Sequence, residues 1–188
     1  REVFHKRGFS YGEFYKTIKT LTENGIYDSR LQEYTEEEIN ELEKAIDISR
    51  DMLYDYAGAN MFTNRYLLKF KGNIYELPQE VFMCIAMLLA INEEDRVAVA
   101  KKFYNALSLK KISLATPILA NLRIPKGNLS SCFITAMDDN IESIFYNIDT
   151  IAKISKSGGG VGLNISRIRA KDSMVNGYYN ASGGVVPW

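Results

Sequence analysis

The sequence predicts an α/β fold in which a helical N-terminal region leads into strands. Two observations carry this. Up to residue 110, apolar side chains recur every three or four positions between helix start and stop signals. After Lys111 the texture changes, and short strand-like segments alternate with a single long helix.

The first helix is expected in YGEFYKTIKTLTENG, where Phe14, Ile18 and Leu21 share a face and Gly25 suits a left-handed cap. The next, YTEEEINELEKAIDISRDMLYDYAG, opens on Thr35 and Glu38 in capping-box spacing. It is expected to run as one helix through Ile39, Leu42, Ile46, Ile48 and Leu53 toward Gly58. PQEVFMCIAMLLA reads as a buried helix with Pro78 in its first turn. In EEDRVAVAKKFYNALSLKK, acids lead and lysines trail, as the helix dipole favours.

Beyond Lys111, ISLAT and LSSCFIT are expected as strands, separated by PILANLRIPKGN. The long helix NIESIFYNIDTIAKISKS then precedes a further strand, GGGVGLNI. The chain therefore divides into a helical region, 1–110, and an α/β region, 111–188, with no repeat, low-complexity tract or flexible linker.

With 188 residues, 46% of them hydrophobic, the chain can bury a sizeable core. Lys plus Arg and Asp plus Glu number 23 each, so no global basic field draws it to nucleic acid or to an anionic membrane. A phosphate site must be local. No stretch reaches the ~18 apolar residues of a membrane span, and REVFHKRGFS lacks an apolar signal core. These features lead to the expectation of a cytoplasmic protein, in which sequons at Asn128, Asn164 and Asn180 are chance matches. The opening on Arg1 and the close on GGVVPW lead to the expectation of a piece of something longer.

The two cysteines differ in setting. Cys84 sits in VFMCIAMLLA as one more apolar side chain, whereas Cys132 follows two serines. Cys132 could be a nucleophile, a metal ligand or half of a redox pair, and each role needs a partner. Metal binding is disfavoured, because the one histidine, His5, is remote and no second cysteine stands at ligand spacing. A redox thiol with a partner outside the chain is left, beside the plainer reading of an ordinary strand cysteine.

Three further constellations stand out. In SKSGGGVGLN the glycines follow a helix and precede a strand, which excludes a Rossmann fingerprint, and no Gly-Lys-Ser/Thr follows to make a P-loop. They permit close approach of backbone to a ligand, or simply end the helix. Asp139 with Glu142 has capping-box spacing at the start of the long helix, whose Ile141, Ile144, Phe145, Ile148, Ile151, Ala152 and Ile154 form a wide apolar stripe. Arg167 and Arg169 in SRIRAKDS share a face if extended, a local positive site or a solvated pair.

In order, SLATPILANLRIPKGNLSSCFI, DDNIESIFYNIDTIAKISKSGGGVGLNISRIRA and GYYNASGGVVPW closely resemble the large (α) subunit of class I ribonucleotide reductase. So do YAGANMFTNRYLL and YELPQEVFMCIAMLLA, and the likeness covers nearly the whole chain. The resemblance implies a helical N-terminal region leading into the first strands of a ten-stranded α/β barrel, incomplete in this chain. It implies reduction of ribonucleotides, by family default diphosphates, to 2′-deoxyribonucleotides through a thiyl radical and a redox cysteine pair. By motif, Cys132 matches the first of that pair, Thr116 and Ser131 match substrate contacts, and the Gly159–Gly160 backbone lies against the nucleotide.

The family also binds a specificity nucleotide, a dNTP or ATP, at a dimer interface. There Asp139 matches the acid that accepts from the deoxyribose, Asn140 and Ile141 offer backbone, and Arg169 and Lys156 meet phosphates. Many relatives carry a second arginine where this chain has Asn176. The helix from Asn140 to Ser157 would join the dimer contact. No cofactor or metal is expected on the chain itself; a metal-containing small (β) subunit supplies the radical, and a thioredoxin or glutaredoxin type of reductant reopens the disulfide. The remaining implied partners are the C-terminal remainder of the α subunit, as the same or a split polypeptide, and a second α subunit, with no nucleic acid or membrane. The alternative is a non-catalytic nucleotide-binding and dimerisation module; within the enzyme class it is an adenosylcobalamin-dependent relative.

Overall fold

A computed structural model describes residues 11–70 and 72–187. His5 lies outside the described residues. The chain forms two compact units that divide between Leu129 and Ser130.

The first unit is helical: α1 (Phe14–Glu23), α2 (Glu36–Glu43), α3 (Tyr56–Arg65), a short antiparallel pair β1 (Lys69–Phe70) and β2 (Asn73–Ile74), then α4 (Pro78–Ala90), α5 (Arg96–Ser108) and α6 (Thr116–Asn121). Helix α4 is apolar nearly all round and is its axis, with Val81, Met83, Cys84, Ile85, Ala86 and Met87 wholly buried. Around it pack Phe14, Ile18 and Leu21 of α1, Ile39 and Leu42 of α2, and Ala100, Tyr104 and Leu107 of α5. Burial pushes the Cys84 thiol well above its ordinary range, so it stays protonated and inert.

Local signals set several boundaries as expected. Helix α1 ends before Gly25, whose φ is +68°. Thr35 accepts from the Glu38 N–H and the Glu38 carboxylate accepts from the Thr35 N–H, closing the capping box.

Two expectations fail. The single helix from Thr35 toward Gly58 is instead α2, a 3-10 turn at Ile48–Leu53, and α3. The break has an identifiable cause. The Asp47 N–H donates to the Tyr104 hydroxyl at 2.9 Å rather than to a helical carbonyl, and its carboxylate accepts from the Ser49 N–H. Asp51 is tied to Tyr11 and Gln79, and Asp55 starts a new helix by accepting from the Gly58 N–H at 2.7 Å. Nor does ISLAT form a strand. Residues 112–115 run without a ladder into α6, where Pro117 occupies the first turn.

The second unit is one β-α-β turn: β3 (Cys132–Ala136), α7 (Ile141–Lys156) and β4 (Gly160–Asn164). Its strands are parallel, pairing Cys132 with Gly160 and Ala136 with Asn164. Side chains alternate across the pair. Phe133 and Thr135 turn toward α7, while Cys132, Ile134 and Ala136 share the open face with Gly160, Gly162 and Asn164. Helical region followed by a small parallel sheet is the architecture expected at the start of an α/β barrel.

Candidate functional site

In the β-α-β unit, Cys132 opens β3 on the exposed face, its thiol 3.4 Å from the Ser131 hydroxyl. Directly across the ladder stands Gly160, whose N–H donates to the Ser131 carbonyl at 2.8 Å. A thiol, a hydroxyl and a bare stretch of backbone thus converge on one face.

The two glycines differ in what they permit. A Cβ on Gly159 would fall 2.7 Å from both Phe133 and Ile154, so the packing of α7 on β3 itself requires glycine there. On Gly160 it would come no nearer than 3.4 Å to the Ser131 carbonyl, an ordinary contact, so nothing within this unit demands the gap. Asn147, unread in the sequence, is the buried polar tie of α7. Its Oδ1 accepts from Thr135 at 2.6 Å, and its Nδ2 donates to Ser143 and Ala136 carbonyls. A polar residue inside an apolar stripe is the signal that could have marked it.

The start of α7 opens a second site. Asp139, Asn140, Ile141 and Arg169 line one cavity of about 280 Å³ with Ile144, Ile168, Val175 and Ser182–Gly184. The expected capping box at Asp139 and Glu142 is not formed. Asn140 is the cap, accepting from the Ser143 N–H at 2.8 Å, because Asp139 is drawn away to Arg169, whose Nε donates to it at 2.5 Å. Arg167 and Arg169 do not share an extended face either: the chain turns at 165–168, and Arg167 pairs with Asp138 at 2.7 Å. Lys156 lies in the last turn of α7, about 22 Å along the axis from Ile141, and does not line this cavity.

Asn176 and Gly177 have φ of +50° and +87°, and Val175 and Tyr178 exchange both backbone hydrogen bonds around them. This is a type I′ hairpin turn, so Asn176, which the resemblance reads as standing in place of a second arginine, is here a turn residue. Asn-Gly is the signal for it, and it folds Val175 and Ser182–Gly184 back onto the cavity.

Thr116 belongs to the helical unit, at the first position of α6, with its hydroxyl 3.3 Å from that of Tyr66. A larger cavity of about 560 Å³ in that unit, lined by Tyr54, Phe62, Tyr66 and Phe82 among others, contains none of the expected residues. Among the described residues no cluster of three or more His, Cys, Asp or Glu could hold a metal ion, and no helix is long and apolar enough to cross a membrane.

Sequence comparison decides the family. Residues 52–127 match the ribonucleotide reductase all-alpha domain and residues 130–188 match the ribonucleotide reductase barrel domain. The chain belongs to the ribonucleotide reductase large-subunit family. It is 51% identical over 190 residues to the ribonucleoside-diphosphate reductase subunit alpha of Synechocystis, covering 100% of this chain and 24% of that protein. The corresponding subunit of Treponema pallidum is 38% identical, over 93% of this chain and 21% of that protein. That of Escherichia coli, ribonucleoside-diphosphate reductase 1 subunit alpha, is 35% identical over 99% of this chain and 26% of its own length. The chain thus spans about a quarter of the length of the curated relatives it matches. The all-alpha match ends and the barrel match begins within two residues of the division between the compact units.

Proposed function

We propose that this chain is the N-terminal part of a ribonucleotide reductase α subunit, contributing the first redox cysteine, substrate contacts and the specificity site. The observation that carries the reading is Cys132: an exposed strand thiol opposite a glycine whose missing side chain the unit's own packing does not require.

On this reading, the ribose lies over the open face of β3 and β4, with Ser131 and the Gly159–Gly160 backbone beside it; Thr116, of the helical unit, is by motif a further substrate contact. The 2′-hydroxyl leaves as water and a hydrogen takes its place at C2′. The two electrons come from Cys132 and a partner thiol elsewhere in the subunit, which end joined as a disulfide. A thioredoxin or glutaredoxin type of dithiol then attacks that disulfide, so Cys132 must stay reachable. The metal-containing small subunit supplies the radical that starts the chemistry. Ribonucleoside diphosphates are the substrates, as the relatives' printed names indicate for those proteins.

The cavity at the start of α7 takes a deoxynucleoside triphosphate or ATP. Asp139 accepts from its sugar hydroxyl, the backbone of Asn140 and Ile141 lies against it, and Arg169 meets its phosphates. Lys156, at the far end of the helix, is left out of this site. Ile141, Phe145 and Ile148 of α7 are 58%, 63% and 51% exposed, an apolar face that supports α7 as the contact to a second α subunit. Parallel strands are ordinarily covered on both faces, which supports completion of this sheet by the rest of a barrel. The cytoplasm, kept reducing, suits a thiol that cycles.

The test is ribonucleotide reduction by this chain completed with the remainder of the α subunit and a small subunit, comparing wild type with Cys132→Ser under a thioredoxin-type reductant. Deoxynucleotide formed by the wild type and lost in the variant, with effector binding retained, is the expected result. Equal turnover in both would instead favour a regulatory, non-catalytic module.

A further inference from the structure

Thr116 is exposed at the start of a six-residue helix, a setting that does not by itself fix a hydroxyl. What fixes it lies in a segment 50 residues earlier. The Tyr66 hydroxyl is 3.3 Å from Thr116 Oγ1, and the Tyr66 ring is held against Phe62, with centroids 5.6 Å apart.

Both backbones are gripped by one guanidinium. Arg123, wholly buried, donates from Nη2 to the Tyr66 carbonyl at 2.5 Å and from Nη1 to the α6 carbonyls of Leu119 and Ala120 at 2.7 and 3.3 Å. Its charge is met by Glu76, also wholly buried, through Nε at 2.5 Å and Nη2 at 2.7 Å. Glu76 accepts in addition from the Tyr27 hydroxyl at 2.7 Å and from the Leu68 N–H. A desolvated fork with its donors and acceptors satisfied sets geometry as much as stability, because any displacement strands a buried charge. The segment carrying Tyr66 and the helix carrying Thr116 are therefore held in one register.

We propose that Tyr66 is a positioning residue for substrate binding, acting through Thr116. Either hydroxyl could donate across this contact; the phenol, the more acidic of the two, is assigned as the donor to Thr116 Oγ1, so that the single proton of Thr116 is directed away, toward an acceptor oxygen of the ribonucleotide. A threonine hydroxyl has one proton and two lone pairs, so a donor on one lone pair decides where the proton is spent. This inference rests on the reading of Thr116 as a substrate contact.

The experiment uses the complete reductase at saturating effector and measures kcat and KM for the ribonucleoside diphosphate in Tyr66→Phe, Thr116→Val and the double variant. Tyr66→Phe keeps the ring on Phe62 and the carbonyl on Arg123, so the fold is retained. It is expected to raise KM about five-fold, the equivalent of one neutral hydrogen bond, with kcat little changed. Thr116→Val raises KM at least as much, and adding Tyr66→Phe to it changes nothing further. Unchanged KM in Tyr66→Phe, alongside a raised KM in Thr116→Val, overturns the inference alone. So does a Tyr66→Phe effect of the same size in both backgrounds, because the phenol would then act independently of Thr116. Unchanged KM in Thr116→Val overturns the substrate reading of that residue, and this inference with it.

Discussion

Cys132 and Gly160 stand directly opposite each other in the parallel pair of β3 and β4, on the face that α7 does not cover. Adding a methyl to Gly160 meets nothing closer than 3.4 Å within the unit. Gly160→Ala should therefore leave the melting temperature within about 2 °C of wild type while raising KM for the ribonucleotide, because the methyl enters the space assigned to substrate. Thermal unfolding and steady-state kinetics on the same preparation check this. A normal KM would mean that the open face is not where the nucleotide lies.

Its neighbour should behave in the opposite way. Gly159→Ala forces a Cβ to within 2.7 Å of Phe133 and Ile154, both at the joint between α7 and β3. Overpacking of this kind costs about 1–3 kcal/mol. Denaturant unfolding should register that loss, and it should be relieved in part by Ile154→Leu, which removes the γ2 methyl, combined with Phe133→Leu, which removes the ring edge. No loss in the single variant would show that the joint yields easily.

Glu38 offers a pH test in the helical unit. The Arg96 guanidinium, at 2.8 and 2.6 Å, and the Thr35 N–H hold its carboxyl below the usual carboxylate range. A folded-state pKa lowered in this way contributes stability above the unfolded value of about 4.3, and that contribution is lost as pH falls through the folded value. Glu38→Gln should thus cost about 1 kcal/mol at pH 7 and progressively less as the pH is lowered below about 4. Urea unfolding of both proteins at the two pH values measures it. A penalty of the same size at both would assign it to lost packing instead of charge.

How much of this could be read from the chain depended on whether the deciding interaction was local. The Thr35 capping box, the Gly25 stop, the Pro78 start and the existence of a strand within GGGVGLNI are set by residues within a few positions of one another, and all are legible in the sequence. The break at residues 44–55 was not, because Tyr104 and Gln79, from α5 and α4, supply the hydrogen bonds that replace the helical ones. Nor was Asn140 as the cap of α7. Asp139 has the capping-box spacing with Glu142, and it is drawn off by Arg169, 30 residues further on, leaving the cap to Asn140. The departure at Asn176 is legible only if Asn-Gly is read as a turn instead of as a missing arginine. The ion pair of Arg123 and Glu76 leaves no mark in any periodicity, since each residue alone reads as a surface charge.

The pair of Asp139 and Arg169 bridges the cavity at the start of α7, the proposed effector site, and this sets the sign of two substitutions. Arg169 engages Asp139 through Nε and the Asp139 carbonyl through Nη2, so an incoming phosphate must compete with a carboxylate already in place. A guanidinium has five donors, and it can serve both anions if the nucleotide enters beside Asp139 rather than displacing it. Arg169→Gln removes a charge-assisted contact and should weaken deoxynucleoside triphosphate binding by about ten-fold or more. That loss should shrink with added salt, since screening already weakens the wild-type contact. Asp139→Asn frees Arg169 for phosphate but leaves a poorer acceptor for the sugar hydroxyl. It should therefore discriminate less between a nucleotide with its sugar hydroxyl and a dideoxy analogue lacking it. Titration calorimetry of the α subunit with both nucleotides reads the two effects separately. Wild-type affinity in Arg169→Gln at low salt would remove the cavity at the start of α7 from consideration as the phosphate site.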